Sequence, residues 1–317
     1  MKRKNPPKCS IVIPALNEEE NIEQCLQSLL KQDYPRSRLE IIVIDNGSTD
    51  KTVTIAKRLA DIVEVKSDCN VGEVRNAGAQ LSSGKILVCT DADCTFPVDW
   101  ISTGVSLLIS HDRSIFGGGL KGSQNQNWIE RLWLLNPDGK TIQQKDLMGS
   151  SIFIKKSDFN SLGGFQSTIT SGEDSSLSDK GRSLGFKVEL DKQLSVYHLG
   201  TPKTLKEFIC RQSWHGENYL NPISKSLKDK TFWLTLCYLS SAIAMLIYIL
   251  SPVAILFLTT TQGCAALLSM KRARRANFTP SLREIFYLIV LDNSYLIGRS
   301  IGIARSLKKI IRNTAIN

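Results

Sequence analysis

Short apolar runs alternate with amphipathic segments over roughly the first hundred residues. Runs rich in β-branched residues predict strands, and apolar residues three or four positions apart predict helices. Strands are predicted at Cys9–Pro14, Leu39–Ile44, Ile62–Lys66 and Lys85–Thr90, and helices at Glu19–Lys31, Thr52–Leu59 and Gly72–Leu81. This alternation is typical of a doubly wound, mostly parallel α/β sheet.

Two acidic residues, Asp91 and Asp93, directly follow the fourth predicted strand. Ligands of open α/β sheets bind at the carboxyl ends of the strands. Two carboxylates on such a short loop offer hard oxygen ligands to Mg²⁺ or Mn²⁺ while the ion still holds the phosphates of a nucleotide. The turn therefore predicts a metal–diphosphate site, and a solvated acidic loop is the alternative.

Four motifs at these predicted strand ends resemble the nucleotide-sugar half of family 2 glycosyltransferases with the GT-A fold. They are Ile13–Glu18, Asp45–Asp50, Asn70–Gly78 and Asp91–Asp93, in the family's order. Two later motifs resemble the family's acceptor side: the Gly-Gly-Phe turn at Leu162–Phe165 and the Glu-Asp motif at Gly172–Asp174. The resemblance covers about residues 8–219 and implies a GT-A-type sheet that binds a nucleotide sugar.

The resemblance also implies which residues bind the donor. These residues are Pro14, Asn17, Glu18, Asp45, Asn46, Gly72, Arg75 and Asp91. Asp45 is expected to bind the nucleoside, and Arg75 the nucleoside or a phosphate, with a surface salt bridge as the alternative for both. Asn46 stands where many members have a second aspartate, so it adds no charge but still accepts a hydrogen bond.

A divalent cation, Mg²⁺ or Mn²⁺, is implied at the donor diphosphate. Asp93 is the expected ligand, with Asp91 nearer the ribose or behind the metal ligands. His198 ends a later apolar segment that is predicted to be a strand, and it either completes the metal shell or is a hydrogen-bonded structural imidazole. Of the other two histidines, His215 is expected to close over the diphosphate from a mobile loop, and His111 to lie on the surface.

The Glu-Asp motif carries the catalytic base in the resembled family. Asp174 is the expected base, which takes the proton from the acceptor hydroxyl, and Glu173 accompanies it. A single base-assisted displacement inverts the anomeric configuration. The alternative is an acidic helix start, which is compatible with the catalytic role. The Gln-x-x-Arg-Trp signature of processive members is absent and residues 211–215 stand in its approximate place, so a non-processive enzyme is expected.

Charge is distributed unevenly along the chain. Residues 1–200 hold 24 basic and 25 acidic residues, whereas the rest holds 16 and 5. Within this basic part, the 39 residues from Phe232 to Met270 carry no charge. Since one membrane span needs about 20 residues, this stretch predicts two spans hinged near Ser251 and Pro252. Lysines and arginines flank both ends, so both ends and the catalytic domain are expected in the cytoplasm.

Residues 285–307 form a further apolar segment, which is interrupted by Asp292, Arg299 and Arg305. An interfacial amphipathic helix is favoured over a third span, and a nucleic-acid patch is disfavoured by the apolar context. The expected domains are a GT-A glycosyltransferase domain at 1–222, a basic linker at 223–231, a transmembrane hairpin at 232–270 and a basic cytoplasmic segment at 271–317. Residues 112–150 are expected to shape the acceptor side.

No cleavable signal is expected, and eight cysteines without paired or metal-type spacing fit a reduced cytoplasmic domain. The sequence thus predicts a membrane-anchored, metal-dependent inverting glycosyltransferase that uses a UDP, GDP or dTDP sugar and a lipid-linked or other membrane-proximal acceptor, in cell-envelope polysaccharide or glycolipid synthesis. Membrane lipids are expected partners, and nucleic acid is not. The alternatives are a sugar-phosphate nucleotidyltransferase and a non-catalytic nucleotide-sugar-binding membrane scaffold.

Overall fold

A computed structural model describes residues 5–121, 126–135, 146–169, 171–220 and 223–316, without the side chains of residues 225 and 313–316. The strands are β1 (Cys9–Ala15), β2 (Leu39–Asp45), β3 (Ile62–Val65), β4 (Ile86–Cys89), β5 (Cys94–Thr95), β6 (Ser114–Gly117), β7 (Leu120–Lys121), β8 (Ile152–Lys155), β9 (Lys187–Leu190) and β10 (Val196–His198). The helices are α1 (Ile22–Leu30), α2 (Thr52–Leu59), α3 (Val71–Leu81), α4 (Trp100–Ser110), α5 (Trp128–Leu134), α6 (Lys156–Ser161), α7 (Glu173–Ser183), α8 (Leu205–Gly216), α9 (Ile223–Ser226), α10 (Lys230–Ile247), α11 (Val253–Arg275) and α12 (Leu282–Ile316).

The chain divides into two compact units. The first comprises residues 1–123 and 139–200, and the second comprises residues 124–138 and 201–317. The described strands all belong to the first unit, and the described part of the second is helical. The predicted boundaries at residues 222, 231 and 270 stay predictions.

Seven strands of the first unit form one sheet in the order β3-β2-β1-β4-β8-β6-β9. The pairs β3-β2, β2-β1, β1-β4 and β6-β9 are parallel, whereas β8 runs antiparallel to both of its neighbours. A separate three-stranded sheet has the order β5-β10-β7. The predicted doubly wound, mostly parallel α/β architecture is confirmed.

Helices cover both faces of the large sheet, because alternate side chains of a strand point to opposite faces. In β1, Ile11 and Ile13 pack in one buried cluster together with Leu26 of α1. Val12 lies between them in sequence but packs in the opposite cluster with Ala79 of α3. Burial on both sides explains why these strands are continuous apolar runs rather than alternating ones.

Local turns and hydrogen bonds set the residues at which α1 and α3 begin. Helix α1 starts three residues later than predicted, because Asn17 adopts a left-handed conformation (φ 54°) and a turn from Glu18 precedes the helix. Helix α3 starts at Val71, where Asn70 accepts a hydrogen bond from the amide of Glu73 (3.0 Å). The Glu73 carboxylate accepts one from the Asn70 amide in return (2.9 Å), which completes a capping box.

The second unit contains a helical hairpin, α10 and α11, and a long helix, α12. Both hairpin helices are long and apolar enough to cross a membrane. The break between them spans residues 248–252 and contains the predicted hinge at Ser251 and Pro252. Helix α12 packs along α8 so closely that a side chain on Gly302 would collide with Gly216.

Candidate active site

The acidic turn at Asp91–Asp93 leaves β4 at the edge of the sheet where the parallel strands β1 and β2 also end. Because β1 and β4 pair in parallel, with Val12 opposite Cys89, the two strands reach this edge together. Parallel pairing of β1 with β2 brings Ala15 opposite Asp45. The sequence-predicted donor residues of these strand ends therefore lie along one edge, as the sheet topology requires.

His198 meets Asp93 at this edge. Its Nε2 atom lies 3.3 Å from Oδ2 of Asp93. The small sheet brings them together, because His198 in β10 pairs with Cys94 in β5. A side chain on Gly200 would collide with the Asp93 carboxylate, so glycine at this position gives the carboxylate its space.

The atoms around Asp93 suit a divalent cation. A carboxylate oxygen of Asp93, a ring nitrogen of His198 and the sulfur of Cys94 all lie within 4.8 Å of one another. Burial raises the pKa of the Cys94 thiol well above its ordinary value, and sulfur is a soft ligand that Mg²⁺ and Mn²⁺ do not favour. The carboxylate and the imidazole are the donors that fit, and imidazole suits transition metals such as Mn²⁺ better than Mg²⁺.

Arg75 of α3 connects the acidic turn to the Glu-Asp motif. Its Nη2 atom lies 2.5 Å from Oδ1 of Asp91, and its Nη1 atom forms an ion pair with Glu173. The Arg75 side chain is 3% exposed, so the guanidinium is a buried bridge rather than a surface salt bridge. Gly149 leaves room for it, since a side chain there would collide with the guanidinium.

Glu173 and Asp174 occupy the first turn of α7, where the helix dipole favours acids. They have different partners. Buried Glu173 pairs with Arg75, whereas half-buried Asp174 accepts hydrogen bonds from the amides of Gly149 (3.0 Å) and Ser175 (2.6 Å). Burial raises the pKa of the Asp174 carboxyl, and it also raises that of Glu173 against the opposing charge of Arg75. Glu173 is therefore engaged in an ion pair with Arg75, whereas backbone amides orient Asp174, whose raised pKa suits a proton acceptor.

Asp45 and Asn46 lie at the end of β2, but the structure engages both side chains internally. Asp45 is fully buried and accepts hydrogen bonds from the amides of Gly47 (3.0 Å) and Ser48 (2.8 Å) and from the Ser48 hydroxyl. The Asn46 amide exchanges two hydrogen bonds with the backbone of Cys69. Both residues thus hold the strand-end turns in shape, and their contact with a nucleoside stays a prediction.

The turn after β1 is tied to the turn after β2. The Asn17 side chain accepts a hydrogen bond from the Thr49 amide (2.9 Å), and the Asn17 amide donates to the Ser48 hydroxyl (2.8 Å). The Glu18 amide donates to the Thr52 hydroxyl (2.7 Å). The motif residues therefore hold the turns after β1 and β2 together at the edge of the sheet. Asn17 is exposed at the surface of these turns.

Two further predicted donor residues have backbone roles. Half-buried Pro14 is a strand residue opposite Ile44, and it lacks the amide hydrogen that a ladder would use. Gly72 lies in the first turn of α3, where an added Cβ would come 2.7 Å from the Gln166 carbonyl oxygen. Both positions shape the backbone beside the site, and their contact with the donor remains a prediction.

The expected mobile-loop position of His215 is wrong. His215 lies in the last turn of α8, where burial and the charges of Arg299 and Arg211 lower its pKa to about 3. His111 is only half-buried, and its Nδ1 lies 3.0 Å from the carbonyl oxygen of Leu107.

The expected acceptor segment, residues 112–150, divides between the two units. Residues 122–125 and 136–145 of that segment lie outside the described part of the chain. Trp133 packs on Phe208 and Tyr295 within the second unit, whereas Asp146 pairs with Arg182 in the first.

The sequence pattern missed the contacts that assemble the site. Nothing in the spacing indicates that Arg75 pairs with Glu173, which is far along the chain, or that Gly149 and Gly200 provide space for the charged groups. The only available signal is the glycine content of these segments, since glycine marks close approach of a neighbouring group.

A mixed seven-stranded sheet with helices on both faces and an acidic turn at a strand end is the architecture of the GT-A fold. Residues 10–161 match the model of the family described as glycosyl transferase family 2. This match agrees with the family that the sequence motifs resemble.

Two similar proteins agree with this match. A glycosyltransferase named AglE from Haloferax volcanii is 38% identical over 121 residues, which cover 36% of this chain and 40% of that protein. A dolichyl N-acetyl-alpha-D-glucosaminyl phosphate 3-beta-D-2,3-diacetamido-2,3-dideoxy-beta-D-glucuronosyltransferase from Methanococcus voltae is 48% identical over 50 residues, 16% of each chain. The matched stretches span less than half the length of these relatives.

A solved structure extends the likeness in fold. The mannosyltransferase PcManGT from Pyrobaculum calidifontis, in complex with GDP-Man and Mn²⁺, superposes with a TM-score of 0.60 at 20% identity. The superposition covers 95% of this chain and 88% of that one. At this identity the likeness concerns the fold, and it confirms the GT-A architecture.

Proposed function

We propose that this protein is a membrane-associated, metal-dependent, inverting glycosyltransferase that adds one sugar from a nucleotide-sugar donor to a lipid-linked or other membrane-proximal acceptor. The observation that carries the proposal is the continuous set of charged contacts at one sheet edge. His198 contacts Asp93, the same turn carries Asp91, and Arg75 connects Asp91 to Glu173 beside Asp174. Groups for donor and acceptor chemistry thus lie along one connected edge.

The donor side stabilises the negative charge of the departing nucleoside diphosphate. Asp93 and His198 would hold a divalent cation, Mg²⁺ or Mn²⁺, with Asp91 beside them. Such a cation supplies Lewis-acid stabilisation of the negative charge that develops on the diphosphate. Asp91 is fixed by Arg75, so its carboxylate keeps one orientation while the donor binds. Asp45, Asn46 and the motif residues near them are proposed to frame the nucleoside.

The acceptor side supplies the base. Asp174 takes the proton from the acceptor hydroxyl as that oxygen attacks the anomeric carbon, and the bond to the nucleoside diphosphate breaks. Two backbone amides orient its carboxylate, and its raised pKa suits it to accept a proton. Glu173 anchors Arg75 instead. A displacement of this kind inverts the anomeric configuration, and the absence of the processive signature supports transfer of a single sugar.

The proposed substrates follow from the chain's similarities. The donor is a UDP, GDP or dTDP sugar, and the similar mannosyltransferase structure contains GDP-Man. The acceptor is lipid-linked or membrane-proximal, and the name of the Methanococcus voltae relative gives that protein a dolichyl-linked acceptor. We propose that the reaction belongs to the synthesis of cell-envelope polysaccharide or glycolipid.

The proposed location is the cytoplasmic face of the cell membrane. The α10–α11 hairpin is apolar enough to enter a bilayer, and basic residues flank both of its ends. Lysines and arginines resist translocation, so both ends of the hairpin remain on the cytoplasmic side. Membrane lipids are therefore proposed partners.

The test is a thermal-stability screen of the purified full chain with UDP-, GDP- and dTDP-sugars in the presence of Mn²⁺. A ligand that binds only the native state raises its apparent stability. The sugar that stabilises the protein is then used in a transfer assay with wild type and Asp174→Asn. Stabilisation without transfer by wild type would indicate a non-catalytic scaffold, and release of pyrophosphate would indicate a nucleotidyltransferase.

A further inference from the structure

The α10–α11 hairpin is divided into a covered lower half and a free tip. At the base, the Lys271 ammonium donates to the Thr231 hydroxyl (3.2 Å), which places the start of α10 beside the end of α11. Buried residues continue only as far as Ser241 on α10 and Thr261 on α11. From 242 to 260, a range that the structure describes completely, no residue is buried. We define residues 242–260 as the tip.

Helix α12 crosses the lower half of the hairpin. Asp292 of α12 accepts a hydrogen bond from the Ser269 hydroxyl (2.6 Å) and pairs with Arg272. The next residue, Asn293, exchanges hydrogen bonds with Gln262 and accepts one from Tyr238 (3.2 Å). The crossing therefore occupies the hairpin from the level of residue 272 up to that of residue 262.

Helix α5 closes the base from another side. The Arg272 guanidinium donates to the carbonyl oxygens of Leu132 (2.6 Å) and Trp133 (2.9 Å) at the end of α5, and it lies 4.5 Å from the Trp133 ring centroid. These carbonyls are the ones a helix end leaves without partners. The base is thus held by a polar, charged network, and no comparable network extends into the tip.

The tip is too short to cross a bilayer. Its α10 part, from Ala242 to Ile247, rises roughly 8 Å and its α11 part, from Val253 to Thr260, roughly 10 Å, at 1.5 Å per residue. The hydrocarbon core is about 30 Å thick. The tip alone therefore reaches into one leaflet. Its exposed apolar side chains are Ile243, Leu246, Ile247, Ile249, Leu250, Val253, Ile255, Leu256 and Leu258.

The lower half does not add to this depth, because α12 crosses it with the charged residue Asp292, which pairs with Arg272, and α12 carries exposed charges further along its length. Arg305 and Lys309 pair with Glu217 and are still 56% and 65% exposed. A charged side chain at the centre of a bilayer costs roughly 2.5–3.5 kcal/mol or more. Helix α12 therefore stays at the headgroup level, and it stops the hairpin from sinking further.

One face of α12 is suited to that level. At 100° per residue, Leu282, Phe286, Ile297 and Ile301 share the face of Asn293, which contacts the side of the hairpin nearer the tip. These four apolar side chains are 88%, 65%, 39% and 38% exposed. An amphipathic helix with such a face lies in the plane of the membrane interface.

We propose that the hairpin tip and this face of α12 form one monotopic membrane-binding surface that enters only the near leaflet of an anionic phospholipid bilayer. The sequence alone predicts two full spans because it counts uncharged residues and does not show that α12 packs on the lower half of the hairpin. This inference rests on the proposed membrane association. It keeps both hairpin ends on the cytoplasmic side and changes the depth that the hinge reaches.

Depth measurement at the hinge tests the proposal. The full chain with Cys69, Cys210 and Cys237 changed to serine receives Ser251→Cys, labelled with an environment-sensitive fluorophore, and is bound to phosphatidylcholine–phosphatidylglycerol vesicles. We expect nitroxides near the acyl-chain ends to quench the probe most and iodide enclosed in the lumen not to quench it. Quenching by luminal iodide would mean a full span, and quenching by external iodide alone would mean no insertion; either result overturns the proposal.

Two matched variants test the α12 face by vesicle flotation. Phe286→Glu places a charge on the apolar face, and Ile310→Glu makes the same charge change on the face of Asp292. We expect Phe286→Glu to weaken partitioning roughly tenfold or more and Ile310→Glu to change it little, since burial of one aromatic side chain contributes about 1.5–3 kcal/mol. Equal weakening in both variants would overturn the role of this face. Thermal stabilisation of the protein by the donor, measured in detergent, does not depend on membrane binding. Failure of the catalytic proposal would therefore not change the interpretation of the vesicle experiments.

Discussion

The imidazole Nε2 of His198 lies 3.3 Å from the Asp93 carboxylate, which joins the end of a small antiparallel strand pair to the turn after β4. We expect Asp93→Ala to abolish transfer and to remove the effect of Mn²⁺ on nucleotide affinity, because Asp93 is the proposed ligand between the cation and the chain. Calorimetric titration of nucleotide with and without Mn²⁺ measures this. Exposed Asp99 lies on the same segment, so Asp99→Ala is the control, and retained metal dependence in Asp93→Ala would contradict the assignment.

His198 itself is either a metal ligand or a structural imidazole. If it is a ligand, His198→Ala should raise the Mn²⁺ concentration for half-maximal activity by about tenfold or more while turnover at saturating metal recovers in part. Metal titration of activity, paired with a melting curve, separates the two roles. A lower melting temperature with an unchanged Mn²⁺ requirement would assign His198 to structure alone.

Asp174 and Glu173 should differ in a paired experiment. Asp174→Asn removes the proton acceptor, so turnover should fall by about 10² or more while donor binding stays near that of wild type. Because burial raises the pKa of Asp174, the acidic limb of the wild-type turnover profile should lie above the ordinary aspartate value of about 3.9. Loss of turnover in Glu173→Gln with normal turnover in Asp174→Asn would reverse the roles.

Arg75 should matter for stability as well as for activity. Arg75→Met leaves buried Glu173 without its counterion, which typically costs about 3–5 kcal/mol. Urea unfolding of Arg75→Met, Glu173→Met and the double variant measures the coupling. We expect the double variant to recover a large part of the loss, and strictly additive losses would show that the pair is not coupled.

His215 predicts a pH dependence of stability. Its pKa is lowered to about 3 in the folded chain from an ordinary value of about 6.5, so the unfolded chain binds the extra proton between these values. Stability should therefore be full above about pH 6.5 and should fall as pH drops toward 3, by on the order of 1–2 kcal/mol at pH 5. Urea midpoints at pH 5 and 7.5 for wild type and His215→Gln test this. An identical pH dependence in both proteins would exclude His215 as its source.

The donor half of the fold could be predicted from the sequence because its signals are local. Helix α2 has the predicted bounds, and β2 and α3 differ from prediction by one residue at one end, since each apolar run is bounded by a turn or a cap. In the small sheet, β10 corresponds to the strand predicted to end at His198, whereas β5 and β7 could not be found in this way. With two residues each, β5 and β7 are too short to show a period of two.

The candidate site was predictable as a set of residues and not as a set of contacts. The acidic turn, the Glu-Asp motif and His198 were visible in the motifs, but the burial of Arg75 between two acids depends on the sheet order. His215 shows the opposite case, because a glycine and an aromatic neighbour suggested a loop where packing on α12 stabilises a helix.

The position of β8 has a consequence for how this chain acquires its shape. β8 inserts antiparallel between β4 and β6, and the chain just before it contributes Gly149, which contacts both Arg75 and Asp174. A nascent chain that has emerged only as far as β4 has an open sheet edge, where unpaired amides and carbonyls can pair with another molecule. The nucleotide-binding half up to β4 therefore does not form a complete sheet by itself. The ribosome must synthesise β8 before the open edge of β4 is paired and protected from aggregation.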